Sequence, residues 1–165
     1  MTFHIRVGKH RSRPFRIGLW WSRGKFTWRV KFTESCRYDF QGDDQYDTNK
    51  LCGIGYLWHH HKNSARFGWR YIPTLAKIEL LAYCYVDGVR IIQPLCLCNI
   101  GKVYEITLMD YYKNYIFRVF NEERERIADW SQVHEHKRKL QYGLWPYFGG
   151  NRKAPQEITI QLTRL

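Results

Sequence analysis

Period-two alternation of apolar and polar residues, repeated in separate parts of the chain, constrains the fold more than any other feature. Over 27–33, Trp28, Val30 and Phe32 point one way while Arg29 and Lys31 point the other. Over 66–71, Phe67, Trp69 and Tyr71 alternate with Arg66, Gly68 and Arg70. Near the end, Ile158, Ile160 and Leu162 alternate with Thr159, Gln161 and Thr163. Successive strand side chains leave on opposite faces, so each segment reads as a strand with one wet face and one packed face.

Longer apolar runs between them read as strands buried on both sides. Residues 78–86 and 89–94 flank Asp87-Gly88, a pairing that predicts a tight β-hairpin. Residues 104–109 and 115–119 form a second expected hairpin around 110–114, and 140–148 supplies a further strand that ends at Gly149-Gly150-Asn151. Residues 121–139, rich in Glu, Arg and His, read either as a short helix around 123–130 or as a long solvated connection. No heptad, internal repeat or low-complexity tract is present. The expected fold is all-β: a two-sheet antiparallel sandwich, or jelly roll, over residues 15–165, preceded by an extended basic N-terminal arm over 1–14.

The stretch Gly143-Leu144-Trp145-Pro146-Tyr147-Phe148-Gly149-Gly150-Asn151, then Ala154-Pro155 and a strand over 157–162, resembles the closing segment of laminin-G and concanavalin-like jelly rolls. In those folds a Gly-Gly turn leads into a last strand that returns to the N-terminal sheet. The resemblance spans about residues 50–165 and implies a topology rather than an activity. The chain as a whole is also faintly similar to small structural proteins of tailed phages infecting Bacteroidales, with no diagnostic motif behind the likeness.

Charge sets the class of partner. The formal charge is +12, from 27 Lys+Arg against 15 Asp+Glu, which suits an anionic partner such as a glycan, nucleic acid or an acidic protein assembly. Arg6, Lys9, Arg11, Arg13 and Arg16 make the arm a candidate docking element for such an assembly. Trp20, Arg29, Lys31, Arg66, Trp69 and Arg70 interleave rings with cations and are predicted to form a ligand face that stacks on sugars or bases while the cations take anions. The plainer reading of the same alternation is a wet sheet face beside a packed one.

Five cysteines at irregular spacing argue against a secreted disulfide framework. Cys96 and Cys98 share a strand face and read as core thiols. The first residues lack a signal-peptide apolar region, and no apolar run reaches membrane-span length. The expectation is therefore synthesis in the cytoplasm, no membrane insertion, and residence in a virion if the phage likeness holds.

Metal signals are weak. On a strand, His59 and His61 would share a face and offer two nitrogens to Zn²⁺, without a third ligand at a telling spacing. Asp43 and Asp47 sit in an oxygen-rich loop that suits calcium in composition but not in spacing. No cofactor is otherwise expected. There is no nucleophile elbow, phosphate loop or strand of paired carboxylates, although a lyase-like meeting of Tyr, His and Arg stays open.

The sequence thus points first to a non-catalytic, virion-associated structural protein that binds capsid or other virion proteins through its arm. A carbohydrate-binding module for acidic glycans is the alternative, and a nucleic-acid-binding protein comes third.

Overall fold

The computed structural model describes residues 1–16, 18–21, 24–56, 59–111, 113–135 and 140–165. Two antiparallel six-stranded sheets pack face to face, as the alternation predicts. The first sheet runs in the order β1 (Thr2–Ile5), β12 (Ile158–Arg164), β3 (Lys25–Phe32), β8 (Val103–Tyr111), β9 (Asn114–Phe120), β10 (Arg126–Val133). The second runs β2 (Leu19–Trp21), β11 (Leu140–Leu144), β4 (Asn49–Tyr56), β5 (Ser64–Ile72), β6 (Lys77–Val86), β7 (Val89–Cys98). The chain crosses between sheets repeatedly, and β12 returns to lie between β1 and β3.

The apolar halves of the alternating segments meet in the middle. Trp28, Val30 and Phe32 from the first sheet face Phe67, Trp69 and Tyr71 from the second, and all are buried. Ring packing ties the layers together: the Phe32 and Trp69 centroids lie 5.5 Å apart, and those of Phe67 and Phe117 lie 5.1 Å apart. Contacts between rings at these separations add to the gain from burying their area. Cys98 is fully buried and Cys96 half-buried, so both belong to the core or its margin.

The Asp87-Gly88 turn closes β6 on β7 with Val86 opposite Val89. Both turn residues have positive φ, 48° and 87°, as the hairpin turn that matches strand twist requires. The second hairpin is tighter than expected, with β8 and β9 reaching Tyr111 opposite Asn114.

Residues 126–133 depart from both sequence readings: they form β10, neither a helix nor a solvated connection. Ala128 and Trp130 alternate toward the core, and Trp130 packs 5.8 Å from the Phe117 ring. The charged run before it is the turn, closed by Glu125 N donating to Asn121 Oδ1 at 2.8 Å. The open edge of β9 satisfies the backbone of 126–133 more fully than an isolated helical turn, which lacks internal partners for its end groups.

The basic N-terminal segment is hydrogen-bonded into the sandwich. Residues 2–5 are β1, Gly8 N donates to Ala154 O, and Ser12 N donates to Pro146 O. Phe148 N returns a bond to His10 O at 2.8 Å. Main-chain bonds hold this segment, with Phe3 and Ile5 in the core while the side chains of Arg6, Lys9, Arg11 and Arg13 are exposed.

One polar cluster is buried between the sheets. Asp110 of β8 accepts from Tyr56 OH at 2.5 Å and from Gln141 Nε2 at 2.7 Å, and its other oxygen lies 3.0 Å from His134 Nε2. The cluster joins β4 and β11 of one sheet to β8 of the other. No described helix is long and apolar enough to cross a membrane.

Candidate functional site

The outer face of the second sheet carries the polar halves of β4, β5, β6 and β11. Register sets two rows across it. Tyr142, Gly55, Ser64, Tyr85 and Arg90 align in one, and Gly53, Arg66, Tyr83 and Ile92 in the next. Gly55 makes room for its neighbour: a Cβ there would stand 2.8 Å from the Tyr142 ring, so that ring lies over bare backbone. Lys50, opposite Gly68, completes the face beside Arg66.

Arg66 is the unusual member. It faces away from the core yet is only 6% exposed, and its Nε and Nη2 have no hydrogen-bond partner among the described residues. Its guanidinium carbon lies 5.0 Å from the Tyr83 ring centroid, and Lys50 Nζ lies 5.2 Å from the same ring. Burial pulls the guanidinium below its ordinary pKa, opposed by the nearby tyrosines, but an arginine side chain keeps its proton. Among the described residues no carboxylate pairs with it. A buried cation with unmet donors is costly.

The groups around Arg66 are tuned by the same burial. Lys50 is brought down to about 8 by burial and then by the charge of Arg66, and its Nζ donates to Gly149 O at 2.9 Å. His60 is brought down to about 4 by burial, then by Arg66 and His61, which keeps its imidazole neutral at ordinary pH. His60 Nδ1 lies 2.9 Å from Tyr142 OH. Burial raises Tyr142 above its usual value and pushes Tyr83 up to about 12, so both phenols hold their protons. Tyr142 and His60 also line a cleft of about 340 Å³ that continues past Trp145 and Tyr147 to Arg11 and Arg16.

The predicted ligand face does not exist as one surface. Trp69 is 0% exposed in the core and cannot stack on a ligand. Arg29 and Lys31 lie on the outer face of the first sheet, whereas Arg66 and Arg70 lie on that of the second. Arg70 is engaged, its Nε donating to Glu79 Oε2 at 2.6 Å. The Trp20 side chain lies outside the described residues. The period of two assigns faces correctly but cannot tell which sheet a face belongs to, nor that one ring of the set fills the core.

The metal candidates fare similarly. Residues 59–63 form a turn, closed by Lys62 N donating to His59 O at 2.9 Å, so His59 and His61 do not share a strand face. His61 packs on the Tyr85 ring, and the histidine that reaches the site is His60. Asp47 accepts from Asn151 N, and its neighbour Asp44 pairs with Arg152, so the loop acids brace the 149–152 turn. Asp43 stands apart from these bonds at the start of a 3-10 turn, Asp43–Tyr46. Among the described residues no group of three or more His, Cys, Asp or Glu is placed to hold a metal.

A larger cavity, about 600 Å³, lies on the outer face of the first sheet around Arg29, Glu105, Glu122 and Arg124. Its cations are balanced by its own glutamates, so it lacks the unpaired positive charge that marks the second sheet.

No protein-family model and no curated protein matches the sequence. Solved structures do share the fold. An exolytic alginate lyase from Zobellia galactanivorans matches with a TM-score of 0.66 at 8% identity, over 99% of this chain and 83% of its own. The alginate lyase from Klebsiella pneumoniae matches with a TM-score of 0.64 at 10% identity, over 87% of this chain, which spans 59% of that protein. The enzymatically active domain of tailspike protein 2 from bacteriophage CBA120 matches at 0.50 with 10% identity, over 98% of this chain and 27% of its own. The chain therefore has a jelly-roll-like sandwich fold shared with alginate lyase and phage-tailspike domains, not a specifically concanavalin-like one.

These likenesses correct the expectation of a non-catalytic protein. The fold is one on which catalytic polysaccharide lyases are built. The absence of paired carboxylates in the sequence excludes only one kind of glycan chemistry, and the Tyr–His–Arg meeting left open by the sequence is present on β5, β11 and the 59–63 turn.

Proposed function

We propose that this chain binds acidic, uronate-containing polysaccharide on the outer face of its second sheet and cleaves it by β-elimination. The observation that carries the reading is Arg66: a buried guanidinium with two unmet donor nitrogens and, among the described residues, no carboxylate paired with it. A uronate carboxylate supplies the planar anion that a guanidinium recognises best. Pairing also withdraws charge from the carboxylate and acidifies the hydrogen on the adjacent C5.

The remaining steps fall to His60 and Tyr142. Neutral His60 takes the C5 proton, the C5–H electrons form the C4=C5 double bond, and the C4–O4 bond breaks. Tyr142 gives its proton to the departing O4. The 2.9 Å contact between Tyr142 OH and His60 Nδ1 then passes the Nδ1 proton to the phenolate, which leaves both groups neutral, and exchange of the imidazole tautomer with solvent completes the cycle. No oxidant, metal or water is consumed. Lys50 adds positive charge beside Arg66, which favours the anion in the bound state.

The test is direct. Uronate polymers incubated with the protein gain ultraviolet absorbance from the unsaturated product end, and Tyr142→Phe loses that gain while keeping substrate binding. Release of reducing ends without the new chromophore would replace elimination by hydrolysis, and no change on any uronate polymer removes the catalytic half of the reading.

The likeness to a phage-tailspike domain favours a second, compatible setting in which the chain acts as part of a virus particle. Mass spectrometry of purified particles tests it, by whether the chain is present in many copies.

A further inference from the structure

Two clefts on the surface share residues. The one beside His60 and Tyr142 reaches Arg11 and Tyr147, and a second cleft of about 360 Å³ begins at those same two residues and continues along Arg6, Lys9, His10 and Arg13. Main-chain pairing explains the continuity. Tyr147 pairs with Lys50 on one side and with Arg11 on the other, which extends the second sheet past β4 by two short bridges. Paired residues present side chains on the same face, so Arg11, Tyr147 and Lys50 continue the row that ends beside Arg66. Phe148, one residue on, faces the core instead.

We infer that the N-terminal segment is the distal part of one glycan track, so that the protein reads a run of uronates rather than a single unit. The inference rests on the function proposed above and extends it along the surface. Three strand spacings of about 4.8 Å separate the β5 row from Arg11, roughly 14 Å, a span that calls for an oligosaccharide and not one sugar ring. The chemistry along it matches such a chain. Arg6, Lys9, Arg11 and Arg13 are exposed, and none pairs with a carboxylate among the described residues. His10 and Tyr147 stack with centroids 5.1 Å apart and planes 8° apart, which gives a flat ring pair beside the cations. Flat rings take sugar faces while flanking cations take carboxylates. Main-chain bonds from Gly8, Ser12 and Arg13, with His10 Nδ1 2.9 Å from Phe148 O, hold this segment, so the side chains of Arg6, Lys9, Arg11 and Arg13 are not needed to keep it in place.

The experiment measures binding of alginate oligomers of defined length to the full chain, to Arg11→Gln/Arg13→Gln, to Lys9→Gln and to Arg66→Met. Equal melting temperatures for the arm variants and wild type establish that they fold. The expected result is that affinity of the wild type rises with chain length. The double arm variant then loses about tenfold on the longest oligomers, and nothing on the shortest, with a shallower dependence on salt. Lys9→Gln shows the same pattern more weakly. Arg66→Met loses binding at every length. If the arm variants match wild type at all lengths while Arg66→Met fails, the track is wrong and the Arg66 site stands. If Arg66→Met matches wild type, or no alginate or polygalacturonate oligomer binds, the underlying function falls with it.

Discussion

The guanidinium of Arg66 lies 5.0 Å from the Tyr83 ring centroid with its Nε and Nη2 unpartnered, buried on the outer face of a sheet. Stacking on a ring offsets part of the desolvation of a cation but none of the cost of its unmet donors. Arg66→Met keeps the stem and removes the charge. We expect the ligand-free variant to be more stable than wild type by roughly 1–3 kcal/mol, read as a higher denaturation midpoint, while uronate binding is lost. A fall in stability would mean that Arg66 has a structural partner.

Asp110 gathers Tyr56, Gln141 and His134 around one buried carboxylate. Removing it leaves those donors facing each other in the core. Asp110→Ala is expected to cost about 3–5 kcal/mol in chemical denaturation. A cost below about 1 kcal/mol would show that water replaces the carboxylate freely.

Trp69 separates packing from recognition. It is wholly buried against Phe32 and Phe148, so Trp69→Ala should destabilise by about 3–5 kcal/mol. Trp69→Phe, which keeps most of the packed ring, should lower the melting temperature yet leave affinity for uronate oligomers unchanged. A specific loss of affinity in a folded Trp69→Phe protein would return this residue to the ligand face.

His60 gives a pH signature. Its folded pKa of about 4 lies below the ordinary value of 6.5, so the unfolded chain binds more protons between those limits. Stability therefore rises with pH through that window, and the contribution is lost as pH falls from about 6.5 to 4. His60→Gln should flatten this part of the melting-temperature profile. An unchanged slope would place the titration on other groups.

Much of the fold was legible in the sequence because it follows from local rules. Trp28–Phe32 and Phe67–Tyr71 announce their buried faces by period two, and Asp87-Gly88 announces its hairpin. The site was less legible because its parts meet only through sheet pairing. Arg66 was recognisable as the polar side of a strand, but its burial comes from Tyr83 on β6, and the Tyr142 ring beside it settles over Gly55 of another strand. The sequence favours His59 and His61 over His60 only if 59–61 is a strand, and a turn stands there. A His-rich segment next to Asn63-Ser64, with turn-forming residues following, is the signal that could have corrected it. Residues 126–133 became a strand only because the edge of β9 was available, a fact of topology that local composition does not carry.

The central claim is that Arg66 holds a uronate carboxylate, and isothermal titration of one oligouronate into wild type and Arg66→Met, alongside the same oligomer with its carboxylates methyl-esterified, tests it most directly. Saturable binding of the free acid by wild type alone is expected, with the ester bound by neither protein. Equal binding of the ester and the acid by wild type, or undiminished binding of the acid by Arg66→Met, would contradict it.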